Sequence, residues 1–134
     1  MEVVKAYGGL PAVLCYPGQL NQVFMNILAN AVDAFDERLT LKPTITIFTE
    51  QRESNVLIRI SDNAGGMPES VRAQIFKHAY TTKAVGKGTG LGLSIARQIM
   101  IEKHSGDLRC TSTLTKGTEF SIVLPVGAIA AQTF

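Results

Sequence analysis

Residues 22–33 read Gln22-Val23-Phe24-Met25-Asn26-Ile27-Leu28-Ala29-Asn30-Ala31-Val32-Asp33. Across this stretch and its flanks, Leu20, Val23, Phe24, Ile27, Leu28, Ala31 and Phe35 recur at three- and four-residue steps, the pattern of an amphipathic helix. At about 100° per residue, Gln22, Asn26, Asn30 and Asp33 fall in one narrow stripe beside that apolar face. Two carboxamides one turn apart could hold a hydrated divalent cation, although such a stripe taken alone reads first as a solvated polar face. The segments that follow decide between the two.

Outward from that helix, Glu2–Ala6 and Ala12–Tyr16 read as two short strands around the turn cluster Gly8-Gly9-Leu10-Pro11. Pro17-Gly18 leads into the helix, which is expected to run to about Leu39, and Pro43 closes the connection. Thr44–Thr49 and Val56–Ser61 alternate and are β-branched, so they predict a hairpin. Pro68 opens a second helix, Glu69 to Phe76. Residues 77–89 lose all periodicity and carry three lysines and two glycines, the mark of a binding loop or lid. A third helix is expected from Leu91 to about Lys103, ended by Ser105-Gly106 with Gly106 at positive φ and His104 near the dipole's negative end. Leu108–Thr113 and Phe120–Leu124 form a closing pair of strands, and the tail from Gly127 to Phe134 has no organised pattern. The order predicts an α+β fold, a two-layer sandwich with a mixed sheet and three main helices on one face.

With 134 residues, 46% hydrophobic and 18% charged, the chain is expected to be one domain, 1–134. A net charge of +2 gives no general affinity for nucleic acid. Cys15 and Cys110 have no metal-ligand spacing and are expected as buried free thiols. No signal peptide and no apolar run of membrane length is present, so the segment is expected to be cytoplasmic and not membrane-embedded.

Two glycine-bearing segments carry chemistry. Asp62-Asn63-Ala64-Gly65-Gly66-Met67 puts a carboxylate at a strand end, where it can accept the amino hydrogen of an adenine while Gly66 lets the backbone approach and Met67 offers a polarizable surface. Gly86-Lys87-Gly88-Thr89-Gly90-Leu91-Gly92-Leu93 alternates glycines directly into a helix, an anion cradle that is neither a Walker A loop nor a GxGxxG turn.

In this order and spacing, the segments resemble the ATP-binding domain of bacterial sensor histidine kinases. That domain belongs to the wider GHKL superfamily (Bergerat fold) shared with DNA gyrase, the large heat-shock chaperones and the MutL mismatch-repair proteins. Asn26–Ala31 resembles the N box, Asp62–Gly66 the G1 box, Phe76–Lys83 the F box and Gly88–Leu93 the G2 box. Gly117-Thr118-Glu119-Phe120 is similar to the turn that closes the nucleotide pocket.

The resemblance implies ATP and Mg²⁺ as ligands, with Asn30 as the magnesium ligand and Asp62 on the adenine amino group, supported through water by Thr118. It further implies phosphate contacts from Gly88, Thr89, Gly90, Leu91 and Gly92, a lid at residues 77–89, and Lys83 and Lys87 neutralising the γ-phosphate. Asp33, where the family often has a basic residue, would bind water around the metal. Ala64 replaces the first G1 glycine and is expected to keep a negative φ. Asn26 stands where hydrolysing relatives carry a glutamate base; a carboxamide accepts no proton, which favours phosphotransfer to a histidine over hydrolysis. Neither His78 nor His104 has the context of an acceptor histidine. The resemblance therefore implies a dimerisation domain outside this chain, and a response regulator beyond it. The alternatives are an ATPase or serine kinase of the same fold, or a non-catalytic nucleotide-sensing domain.

Overall fold

The computed structural model describes residues 1–37, 40–77 and 92–127. Its strands are β1 (Glu2–Tyr7), β2 (Thr44–Arg52), β3 (Asn55–Asp62), β4 (Asp107–Thr113) and β5 (Gly117–Pro125). Its helices are α1 (Pro17–Glu37), α2 (Glu69–Arg72) and α3 (Gly92–Gln98), which continues as a π-helical segment, Ile99–Lys103. One sheet forms in the order β1-β2-β3-β5-β4, parallel only between β1 and β2. The α+β two-layer architecture expected from the sequence is the one observed.

Alternation in β3 and β5 reports which face is covered. Val56, Ile58 and Ile60 pair across the sheet with Leu124, Ile122 and Phe120, and all six are buried under the helices. The apolar stripe of α1 (Leu20, Val23, Ile27, Ala31, Phe35) packs into the same core with Ala96 and Met100 from the third helix. Each fully buried aliphatic side chain of this set contributes about 1.5–3 kcal/mol.

Several expectations are corrected. Residues 12–16 form no strand: Leu14 makes one backbone bond to the Val126 carbonyl (3.2 Å), while Val13 and Cys15 pack against the core. Their alternation came from burial without strand pairing. β1 pairs instead with β2 in parallel, a geometry that needs a crossover, which α1 provides. Cys15 is half-buried and only Cys110 is fully buried, its thiol pushed up to about 12 chiefly by desolvation; both are free.

α2 is one turn long, not the helix to Phe76 that was expected. Beyond Arg72 the bonds Gln74 N–H to Val71 and Lys77 N–H to Gln74 span three residues, a tighter winding that turns Ile75 and Phe76 onto the core. The lid residues 78–89, Leu91 and the tail from 128 lie outside the described residues.

At the end of the third helix, Ser105 and not Gly106 takes positive φ (53°). Gly106 is required for space, because a Cβ there would sit 2.1 Å from the Val123 carbonyl oxygen. His104 does stand at the helix C-terminus, as expected, and the structure adds that its ring is consumed by the fold. It is fully buried, its Nε2 accepting the Tyr16 N–H (3.1 Å) and its Nδ1–H facing the Ile99 carbonyl (3.2 Å), with the two rings edge-on at 5.7 Å. His104 thereby ties the start of α1 to the π-helical segment. His104→Leu removes the acceptor of the part-buried Tyr16 N–H and a donor to the Ile99 carbonyl, and is expected to cost about 1–3 kcal/mol in urea unfolding.

Candidate functional site

Asp62 ends β3 and sits opposite Thr118 of β5. Both are buried, at 9% and 7% exposure. Asp62 Oδ1 accepts the backbone N–H of Ala64 (3.0 Å) and of Thr118 (3.3 Å). These bonds favour the charged carboxylate, but desolvation outweighs them and raises its pKa above the ordinary 3.8. Among the described residues nothing pairs with Oδ2, and it is not one of the buried unpartnered atoms, so this oxygen is open to a ligand.

The loop after Asp62 is pinned under the β4–β5 turn. The Thr115 N–H bonds the Gly65 carbonyl (2.8 Å) and the Met67 N–H bonds Ser112 Oγ (2.8 Å). Gly66 has φ +71° and a Cβ there would meet the Thr113 carbonyl oxygen at 2.2 Å; one on Gly117 (φ +124°) would meet that of Asp62 at 1.9 Å. Only glycine fits either place. Ala64 is not among the positive-φ residues, as its replacement of a glycine requires. Asn63 turns away from Asp62 and clamps the start of β2, accepting from Thr44 N–H (2.8 Å) and donating to the Lys42 carbonyl (3.1 Å).

Ser112 is the residue that sequence reading missed. It accepts from Met67, lies 3.0 Å from the Gly117 carbonyl oxygen and 2.9 Å from the Thr118 hydroxyl. One signal was present: in β4, Leu108, Cys110 and Ser112 share the inward face, and a hydroxyl at an inward position must find partners.

On α1, the Asn26 carboxamide is fully engaged. Its Nδ2 donates to the Gly92 carbonyl (2.8 Å) and its Oδ1 accepts from Gln22 (2.8 Å), so it ties the first residue of α3 to α1. Asn30, one turn on, is half-buried, and among the described residues none pairs with its carboxamide. Asp33 is half-buried one turn further. Lys83, Lys87, Gly88, Thr89, Gly90 and Leu91 lie outside the described residues. The structure thus joins Asp62, Thr118 and, through Ser112, Met67 into one bonded cluster with Gly66 packed beneath the β4–β5 turn, and Asn26 with Gly92 into another.

No group of three metal-ligating His, Cys, Asp or Glu side chains occurs among the described residues. The donor set on α1 nevertheless fits Mg²⁺. A carboxamide oxygen not consumed by the fold suits a cation that takes few protein ligands and keeps water and phosphate oxygens around it. A separate apolar hollow of about 540 Å³ lies between α1 and β1–β3, lined by residues such as Tyr7, Leu10, Phe24, Met25, Leu28 and Ile58. It has no charged lining residue and does not suit a phosphate-bearing ligand.

The sequence matches, over residues 15–128, the family described as Histidine kinase-, DNA gyrase B-, and HSP90-like ATPase. Sporulation kinase E of Bacillus subtilis (strain 168) is 39% identical over 117 residues, covering 87% of this chain and 15% of that protein. Signal transduction histidine-protein kinase AtoS of Escherichia coli (strain K12) is 37% identical over 114 residues, covering 85% of this chain and 18% of that protein. The chain therefore spans less than a fifth of the length of these two relatives. Among solved structures, the nucleotide-free catalytic domain of histidine kinase ThkA is similar with a TM-score of 0.79 and 26% identity, over 93% of this chain and 78% of that one. Full-length ShkA in complex with AMPPNP is similar with a TM-score of 0.78 and 26% identity, over 92% of this chain and 25% of that one. The chain belongs to the histidine kinase-, DNA gyrase B- and HSP90-like ATPase family, and its fold is that of the catalytic domains of histidine kinases.

Proposed function

We propose that this domain binds Mg-ATP and donates the γ-phosphoryl group to a histidine on a dimerisation domain outside the chain, in a two-component pathway that ends at a response regulator. The observation that carries the reading is the Asp62–Thr118 pair, a buried carboxylate with one oxygen committed to backbone amides and the other left for a ligand donor. Asp62 takes the adenine amino group, Thr118 supports it through water, and Gly66 and Met67 bring the loop against the base.

Asn30 holds the metal, which supplies charge neutralisation along the phosphates, and Asp33 binds its water. Gly88, Thr89, Gly90, Leu91 and Gly92 contact the phosphates, and Lys83 and Lys87, on a lid at 77–89, neutralise the γ-phosphate. Phosphoryl transfer depends mainly on positioning and charge stabilisation, which is what these groups provide. Asn26 brings no base. Its carboxamide holds the Gly92 carbonyl, so its contribution to catalysis is to position the G2 segment. An incoming imidazole needs no such base, whereas hydrolysis or serine phosphorylation does.

Among the described residues no helix is long and apolar enough to cross a membrane. Labelled ATP mixed with this domain and a separate histidine-bearing helical dimer is expected to yield acid-labile, base-stable phosphohistidine. Rapid phosphate release without a partner would favour an ATPase instead, and no transfer under any condition a nucleotide-sensing domain.

A further inference from the structure

We propose that the hollow along the outer edge of β4 is a docking site for an extended acidic polypeptide segment supplied from outside this chain. β4 ends the sheet, with β5 on one side only. A hollow of about 510 Å³ runs along four consecutive residues of it, Leu108–Thr111, between the strand, α2 with the turn after it, and α3. Its lining holds four cations, Arg72, Lys77, Arg97 and Arg109, and among the described residues no anion. The carboxylates paired with them are Glu69 and Asp107. Four cations against two carboxylates leave an excess as large as the net charge of the whole chain, +2, gathered at one place. Such a surplus steers and holds an acidic partner.

The guanidinium groups are held on one side and open on the other. Arg97 lies over the Phe76 ring at 5.4 Å, and Phe76 is itself edge-on to the buried Phe120 at 6.2 Å. Arg109 Nε bonds Asp107 (2.9 Å), and Arg72 bonds Glu69 while its Nη1 reaches the Cys110 carbonyl (3.4 Å). A guanidinium has five N–H donors, so Arg97 and Arg109 keep most of theirs for a ligand, and such a fork takes a carboxylate in two parallel bonds. Ala73, Phe76, Leu108 and Cys110 supply an apolar part of the lining, which suits one hydrophobic side chain between the carboxylates. Charges on an edge strand by themselves serve only to keep it from pairing with other chains. The concave apolar lining adds a place to bind. Four residues of strand span about 13 Å, the length of an equal stretch of extended chain lying alongside, whereas a compact anion would meet only one or two of the cations. None of the lining residues belongs to the Asp62–Thr118 cluster or to the Asn26, Asn30 and Gly92 set, so the proposal stands apart from the nucleotide reading.

The test titrates the 134-residue chain with a capped peptide of four glutamates around one phenylalanine, followed through the backbone amides by NMR. Shifts are expected at Ala73 and along Leu108–Thr111 and not at Asp62 or Thr118, with an affinity that falls as salt is added. Arg97→Glu with Arg109→Glu should weaken binding at least about tenfold, because like charges then face each other. The same peptide carrying lysines in place of its glutamates should bind that variant better than it binds the unaltered chain. Charge reversal also crowds Asp107 with like charge, so Arg97→Gln with Arg109→Gln provides a milder variant, which should weaken binding in the same direction.

No shift with peptide in large excess, shifts centred elsewhere, an affinity indifferent to salt, or a reversed peptide that fails to recover binding each overturn the proposal. Displacement of the peptide by single-stranded DNA of equal charge at equal concentration also overturns it, since the hollow would then be a general polyanion site. A chain that binds the peptide but not ATP leaves this inference standing and brings down the nucleotide reading alone.

Discussion

Asn30→Ala removes the Mg²⁺-dependent part of ATP binding, with an expected loss of at least about 100-fold, since even groups that merely orient metal ligands cost 10- to 100-fold when removed. The two carboxamides of α1 stand one turn apart and look equivalent along the chain, but they are not equivalent in space. Both ends of the Asn26 carboxamide are consumed, by Gly92 and Gln22, whereas among the described residues nothing claims that of Asn30. Alanine at 30 therefore breaks no bond of the fold and favours the helix, so the melting temperature should change little. Calorimetric titrations with and without Mg²⁺ separate the two terms. The metal-dependent increment should vanish while metal-free nucleotide, read through Asp62, binds nearly as before. An undiminished increment removes Asn30 from the metal site.

Asp62→Asn should weaken adenine nucleotide binding by about 2–3 kcal/mol, roughly 30- to 150-fold, because the acceptor becomes a donor facing a donor. The side-chain oxygen of asparagine keeps the N–H groups of Ala64 and Thr118, which directs its NH₂ toward the ligand. The same substitution should raise the melting temperature at neutral pH. Desolvation holds the folded-state pKa of Asp62 above 3.8, so the native state binds this proton more tightly than the unfolded chain does. Stability then falls as pH rises through the window between 3.8 and the raised value, and the full cost of the ionised carboxylate is present above it. Asparagine carries no such cost. Its advantage should shrink as pH falls through that window and disappear below it, as thermal scans from neutral to acid pH will check. A variant that is both less stable at neutral pH and unimpaired in ATP binding contradicts the role given to Asp62.

The sequence by itself determined the parts whose signals are local. The three- and four-residue spacing of α1, with its carboxamide stripe, follows from helical geometry, and the β2–β3 and β4–β5 hairpins follow from alternation around short turns. The Asp62–Gly66 turn was legible because glycine is the residue that tolerates a φ of +71°. Only the tertiary structure decided who meets whom over long separations. β1 lies parallel to β2 across α1, and residues 12–16 take their alternation from packing alone. Asn26 closes on Gly92, 66 residues away, and His104 reaches back 88 residues to Tyr16. Ser112 meets Met67 only because the β4–β5 turn lies over the loop after β3. Periodicity tells which side of an element is buried, since burial acts on each residue in place. It does not carry the register and crossing that bring two distant polar groups within 3 Å, because many arrangements bury the same apolar faces and directional hydrogen bonds select among them.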